Sequence, residues 1–204
     1  DPFGIDKDKD FTKSTDSLGA SYVIERSNLI TPGKGDMIVA CYVGRPERQD
    51  DYNEILLKLS LYYNAEVMFE NDRGDVKNYF KRNQALNMLC DEPEILWKKE
   101  LQGKSGRNKG ISMNLKRKAD AALYLKDWLY TKRGTNHNGD AVLNLDYIYD
   151  LELLKELEKW NLKGNFDRVS ALLVGQFHMK EIESREIEGT EVEDRNSFFN
   201  RTLF

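Results

Sequence analysis

The chain of 204 residues and 23.7 kDa has room for one large domain or two small ones, and enough apolar residues to bury an ordinary core. Hydrophobic residues make up 40%, aromatic ones 11% and charged ones 32%, and no apolar run approaches the roughly 20 residues of a membrane helix, so a helical membrane protein is excluded. A formal net charge of -4 with pI ≈ 5.4 argues against a polyanion binder that works by overall charge alone.

The opening Asp1-Pro2-Phe3-Gly4 has neither an initiator Met nor a basic and apolar leader, which predicts that an upstream stretch has been removed. Leu18 to Glu25 and Asp36 to Val43 are β-branched and aromatic runs separated by the turn chemistry of Thr31-Pro32-Gly33-Lys34-Gly35, and they predict an antiparallel hairpin. Asp50-Asp51 then caps an amphipathic helix with Tyr52, Ile55, Leu56, Leu59 and Tyr63 on one stripe, ended by Asn64. Ala65 to Glu70 returns to strand character, and Gly74 to Cys90 reads as a second helix, so the alternation implies parallel pairing with helices on a sheet, an α/β fold. Gln102 to Gly110 is a glycine and lysine loop. Leu115 to Lys132 resumes helix, Arg133 to Gly139 ends it, and Tyr147 to Trp160 and Asp167 to Lys180 are two further helices. Beyond Lys180 the apolar period fades into acids and Ser197-Phe198-Phe199, which divides the chain into a domain over 1–180 and a C-terminal tail over 181–204.

Charge is unevenly spread. Lys98 to Lys118 holds eight basic residues against the single acid Glu100, whereas Glu181 to Asp194 holds seven acids against the single Arg185. Cys41 and Cys90 cannot make a four-thiolate zinc site and read as reduced, packed thiols, and His137 and His178 read as surface residues. Gly103-Lys104-Ser105 resembles the end of a phosphate loop, but the glycine that loop needs five residues earlier is Lys98. Asp6-Lys7-Asp8-Lys9-Asp10 alternates like a calcium loop, yet Phe11 stands at its glycine position and Ser17 at its bidentate glutamate position.

What remains is a set of acids at element ends: Asp1, Asp16 ahead of a strand, Glu70 closing a strand, and Asp167 opening a helix. Strand ends and helix starts converge at one edge of an α/β sheet, where crevices open, and clustered carboxylates favour a hard divalent cation. Glu70 stands out, because a carboxylate that ends the run Val67-Met68-Phe69 lies near the interior and needs a partner.

Asp1-Pro2, Ser17-Leu18-Gly19-Ala20, Val39 to Pro46 (VACYVGRP), Tyr63 to Gly74 (YNAEVMFENDRG) and Asn165 to Leu172 (NFDRVSAL), in that order, resemble the nuclease half of a tailed-phage terminase large subunit. The resemblance implies an RNase H-like fold and an endonuclease using two Mg²⁺ or Mn²⁺ ions to cut concatemeric double-stranded DNA during packaging, in the cytoplasm of an infected bacterial host. It further implies that Asp1, Glu70 and Asp167 are the metal-binding carboxylates, that Asp16 is an accessory acid, and that an ATPase domain lies upstream; Asp72, an extra acid near Glu70, is a further accessory candidate. The portal and other packaging proteins are the implied partners, and the tail is expected to dock a partner such as the portal or another part of the full-length chain. The basic segment, represented by Lys104, Arg107, Lys109, Lys116, Arg117 and Lys118, is the expected DNA-backbone contact. A resolvase or recombinase of the same fold, and a non-catalytic module that docks DNA or the portal, are the alternatives.

Overall fold

A computed structural model describes residue 2 and residues 17–27, 35–72, 75–96 and 107–200, with side chains as far as 185. Strand β1 (Gly19–Glu25) pairs antiparallel with β2 (Met37–Gly44) from Gly19 opposite Gly44 to Glu25 opposite Met37, with a register shift between Val23 and Ile24. This is the expected hairpin. Cys41, however, lies on the exposed side of β2 rather than packed.

Helix α1 (Gln49–Tyr63) ends as its sequence predicts, because Asn64 adopts φ 49° and its N–H reaches the Leu61 and Ser60 carbonyls. Asp50 and Asp51 sit inside its first turn, where their charge suits the helix dipole, and Arg48 occupies the capping position. The buried Tyr52 fastens α1 to β1, its hydroxyl lying 2.7 Å from Ser21 Oγ and donating to the Ala20 carbonyl at 3.1 Å.

The strand expected over 65–70 makes isolated parallel bridges, Val67 with Leu89 and Glu70 with Ile111, and no continuous ladder. Its partners are irregular: residues 86–88 form a 3-10 turn, and Gly110 takes φ 75°. That glycine is required, since a Cβ there would stand 2.7 Å from the Phe69 carbonyl oxygen. The helix expected over 74–90 is likewise shorter. Only α2 (Val76–Arg82) forms, and Gln84 at φ 58° turns the chain away.

Helix α3 (Leu115–Leu129) starts at Asn114, whose side chain accepts from the Arg117 N–H at 2.9 Å. Lys132, expected in that helix, instead opens β3 (Lys132–Thr135), which pairs antiparallel with β4 (Ala141–Leu143). The helix expected over 147–160 resolves into a 3-10 turn over 144–147 and α4 (Leu151–Lys159), capped by the Asp150 carboxylate. Helix α5 (Asp167–Asn200) continues without a break beyond Lys180, and Glu181 is buried.

The main core gathers Leu125, Trp128, Leu153, Leu172, Leu173 and Phe177 from α3, α4 and α5; a second cluster puts Val67, Phe69, Val76, Phe80 and Leu89 beneath α1 and α2. The architecture is therefore mixed α/β, with five α-helices and two small antiparallel sheets among the described residues. No described helix is long and apolar enough to cross a membrane.

Candidate functional site

A cavity of about 280 Å³ separates β1 from the 65–70 segment. Alternation along the two segments closes it on both faces: Ser21, Val67 and Phe69 turn toward α1 and α2, while Tyr22, Ile24 and Met68 turn toward the α5 core. The outer edge of 65–70 is bonded, with the Val67 N–H donating to Met88, its carbonyl accepting from Cys90, and the Phe69 carbonyl accepting from Ile111. The backbone groups of Met68 face the opposite way, into the cavity, and bond nothing among the described residues. Gly175 of α5 lines the same space, and a Cβ built there meets nothing within 4 Å.

Helix α5 runs alongside β1 in the same sense. Asp167 meets the approach to β1, accepting from the Leu18 N–H at 2.8 Å and the Ser17 hydroxyl at 3.1 Å, while Glu183 meets Arg26 at 3.6 Å at the far end. Segment 65–70 runs the other way along the helix. Glu66 touches His178 at 3.2 Å, Arg107 pairs with Glu181 at 3.1 Å, and Ile111, opposite Glu70, packs in the same cluster as Val169. Four strand residues cover about 13 Å, the rise of roughly nine helical residues, so Glu70 comes level with the first turn of α5. Glu70 and Asp167 are both buried, 6% and 8% exposed, and neither is among the residues that line the cavity. Among the described residues neither has a cation partner, and no group of three His, Cys, Asp or Glu side chains at metal-ligand spacing includes them. Arg168, next in sequence, is already committed to Asp150 at 2.8 Å and Glu156 at 3.6 Å.

Asp72 is exposed and accepts from the Ser112 hydroxyl. Asp1, Asp16 and Lys104 lie outside the described residues. Of the basic residues, Arg107 pairs with Glu181 and Glu94, Lys109 with Asp91 at 2.9 Å, and Arg117 with Glu92 at 3.0 Å. Lys116 and Lys118 at the start of α3 have no acidic partner among the described residues.

In the wall of the cavity stands a cluster that the sequence does not announce. His178, expected at the surface near a helix end, lies in the middle of the longer α5 with its side chain 17% exposed, between Glu66 and Cys90. Its Nε2 is 3.2 Å from Glu66 Oε2 and 3.5 Å from Cys90 Sγ, and Sγ is 4.0 Å from the same Glu66 oxygen. Burial pushes the Cys90 thiol up to about 12, with the Glu66 carboxylate adding to it; burial also holds the His178 imidazole below its usual value, against the pull of Glu66. A pattern such as Glu-Val-Met-Phe-Glu followed twenty residues later by Cys carries no recognised spacing, so only the tertiary approach of α5 reveals the group.

No protein-family model matches the chain, and no curated protein or solved structure is similar to it at a significant level.

Proposed function

We propose that the chain is a metal-dependent DNA endonuclease of RNase H-like architecture, the nuclease part of a terminase large subunit. The observation that carries this reading is a pair of buried carboxylates, Glu70 and Asp167, at the level of the first turn of α5, neither within ion-pair distance of a cation among the described residues. Burying two ionised acids in that way is expensive unless a positive charge joins them. The donor set fits Mg²⁺ or Mn²⁺: both groups offer hard oxygens, and Asp167 spends only two of its roughly four lone-pair sites on Ser17 and Leu18. Ions held there supply charge neutralisation at a phosphodiester and a more acidic water.

Within the chain, the Asp167 carboxylate is oriented by the Leu18 N–H and the Ser17 hydroxyl just ahead of β1, and the Ile111 bridge fixes the backbone of Glu70. Lys116 and Lys118 are the members of the basic segment free of acidic partners among the described residues, and they are the expected contacts to the DNA backbone. Asp1 and Asp16 complete the set by resemblance, with Asp72 as an extra acid near Glu70 in the sequence.

Plasmid nicking tests the reading. The chain should cut duplex DNA with Mg²⁺ or Mn²⁺ and not with EDTA, and Glu70→Gln or Asp167→Asn should each slow cutting by more than about a hundredfold with the circular dichroism spectrum unchanged. Undiminished cutting by both variants overturns the site. Preference for branched over linear duplex would assign the chain to the resolvase class instead, and DNA or portal binding without cutting would make it a docking module.

A further inference from the structure

We propose that Glu66, Cys90 and His178 form a binding site for a divalent transition-metal ion of the zinc type, with a fourth coordination position open to the cleft. Three different elements supply the ligands. Glu66 and Cys90 flank the bridge between Val67 and Leu89, where the Cys90 N–H donates to the Val67 carbonyl at 3.0 Å, so the backbone fixes their separation; His178 reaches them from α5. Their ligand atoms all lie within 4.8 Å of one another, with separations of 3.2, 3.5 and 4.0 Å. A tetrahedral ion with metal–sulfur bonds of about 2.3 Å and metal–nitrogen or metal–oxygen bonds of about 2.0–2.2 Å has edges of roughly 3.3–3.6 Å. The 3.5 Å separation falls in that range, and the 3.2 and 4.0 Å ones, both made by Glu66, come into it with a small rotation of that exposed side chain.

Other roles for the trio fit its geometry less well. In a nucleophile relay the acid binds the imidazole nitrogen remote from the thiol, but here Glu66 and Cys90 both address Nε2, and Nδ1 is buried without a hydrogen-bond partner among the described residues. In a hydrogen-bonded triangle the Nε2–H and the Cys90 thiol both donate to the Glu66 carboxylate, an arrangement that releases its protons when a cation takes their place. One cation at the centre satisfies all three. Sulfur and imidazole ligands select a zinc-type ion over Mg²⁺, which separates this site from the oxygen-only pair Glu70 and Asp167. Strong sites give the second imidazole nitrogen an acceptor; its absence here lowers affinity by about 10–100-fold relative to a site that has one.

Titrating the reduced, metal-free chain with Co²⁺ tests the proposal independently of the nuclease reading. The expected result is a one-equivalent transition giving the intense visible bands of tetrahedral cobalt and a sulfur-to-cobalt charge-transfer band, both removed by Zn²⁺. Cys90→Ser should abolish the charge-transfer band, and His178→Gln should weaken binding at least tenfold. Glu70→Gln and Asp167→Asn should leave the spectrum as it is, since oxygen ligands alone give only faint octahedral bands. Absence of the bands, or their survival in Cys90→Ser, overturns the proposal. Should a variant fail to fold, alkylation of the unaltered protein decides the matter: Zn²⁺ should slow modification of Cys90 at least tenfold while the exposed Cys41 reacts at its own rate, and an unchanged Cys90 rate overturns the site.

Discussion

Asp167 and Glu70 are both buried carboxylates, yet the fold treats them differently. Asp167 accepts two hydrogen bonds from the chain entering β1, so Asp167→Ala leaves the Leu18 N–H and the Ser17 hydroxyl without an acceptor and is expected to cost about 1–3 kcal/mol. Glu70 has no described side-chain partner, and Glu70→Ala should leave stability unchanged or raise it once its desolvation is relieved. Urea midpoints in metal-free buffer check both, and equal destabilisation of the two variants would contradict the assignment. The sequence shows Asp167 as a helix-opening acid and Glu70 as a strand-ending one. It does not show that Asp167 spends its carboxylate on residues about 150 positions away, because that bond depends on where α5 lands beside β1.

At the scale of elements, Asp150 joins three of them. Its carboxylate caps α4 through the Glu152 and Leu153 N–H groups, accepts from Tyr22 of β1 at 2.9 Å and pairs with Arg168 of α5 at 2.8 Å. Burial opposes its charged form, but the Leu153 N–H, the Tyr22 hydroxyl and Arg168 outweigh that and hold its pKa below the ordinary value of 3.8. A carboxylate depressed on folding stabilises the protein above the unfolded pKa and loses that contribution as pH falls through the folded one. Melting temperature should therefore drop below about pH 4 in the parent, and Asp150→Asn should be less stable at neutral pH with a flatter acid limb; an unchanged limb would remove Asp150 from the account. Asp150 lies inside the helix expected over 147–160, where nothing local marks it as a cap. The hairpin of β1 and β2, α1 and α3 are legible because their apolar periods are long. Helix α2 is cut short by Gln84, a residue with no special preference for φ 58°, and β3 with β4 is too short and polar to rise above a loop.

For the whole molecule, the acidic and basic blocks that look separate in sequence largely meet in space. Arg107 spans from Glu94 to the buried Glu181, and Arg117 and Lys109 take up Glu92 and Asp91. The charge run is visible in the sequence, whereas its neutralisation by Glu181 requires α5 to fold back across the molecule. Changing Lys116 and Lys118 to Ala should lower the slope of log DNA affinity against log salt by about 0.9 for each lost phosphate contact, at most about 1.8. Arg107→Ala should lower the melting temperature and leave that slope alone, since its charge is spent inside the protein. A salt slope that follows Arg107 and ignores Lys116 and Lys118 would move the DNA path elsewhere.

The void beside Gly175 has a consequence for how the molecule behaves among other polypeptides. Soluble proteins blunt the free margins of their sheets with charge, proline or a covering loop, because a margin left open is a template for any extended chain. Here the 65–70 segment presents such a margin to an apolar gap, with Met68 offering both a donor and an acceptor to whatever enters. Extended segments of partly unfolded copies meet those requirements as well as any other chain does. Self-association during refolding is the expected outcome, and light scattering that does not rise with protein concentration would contradict it.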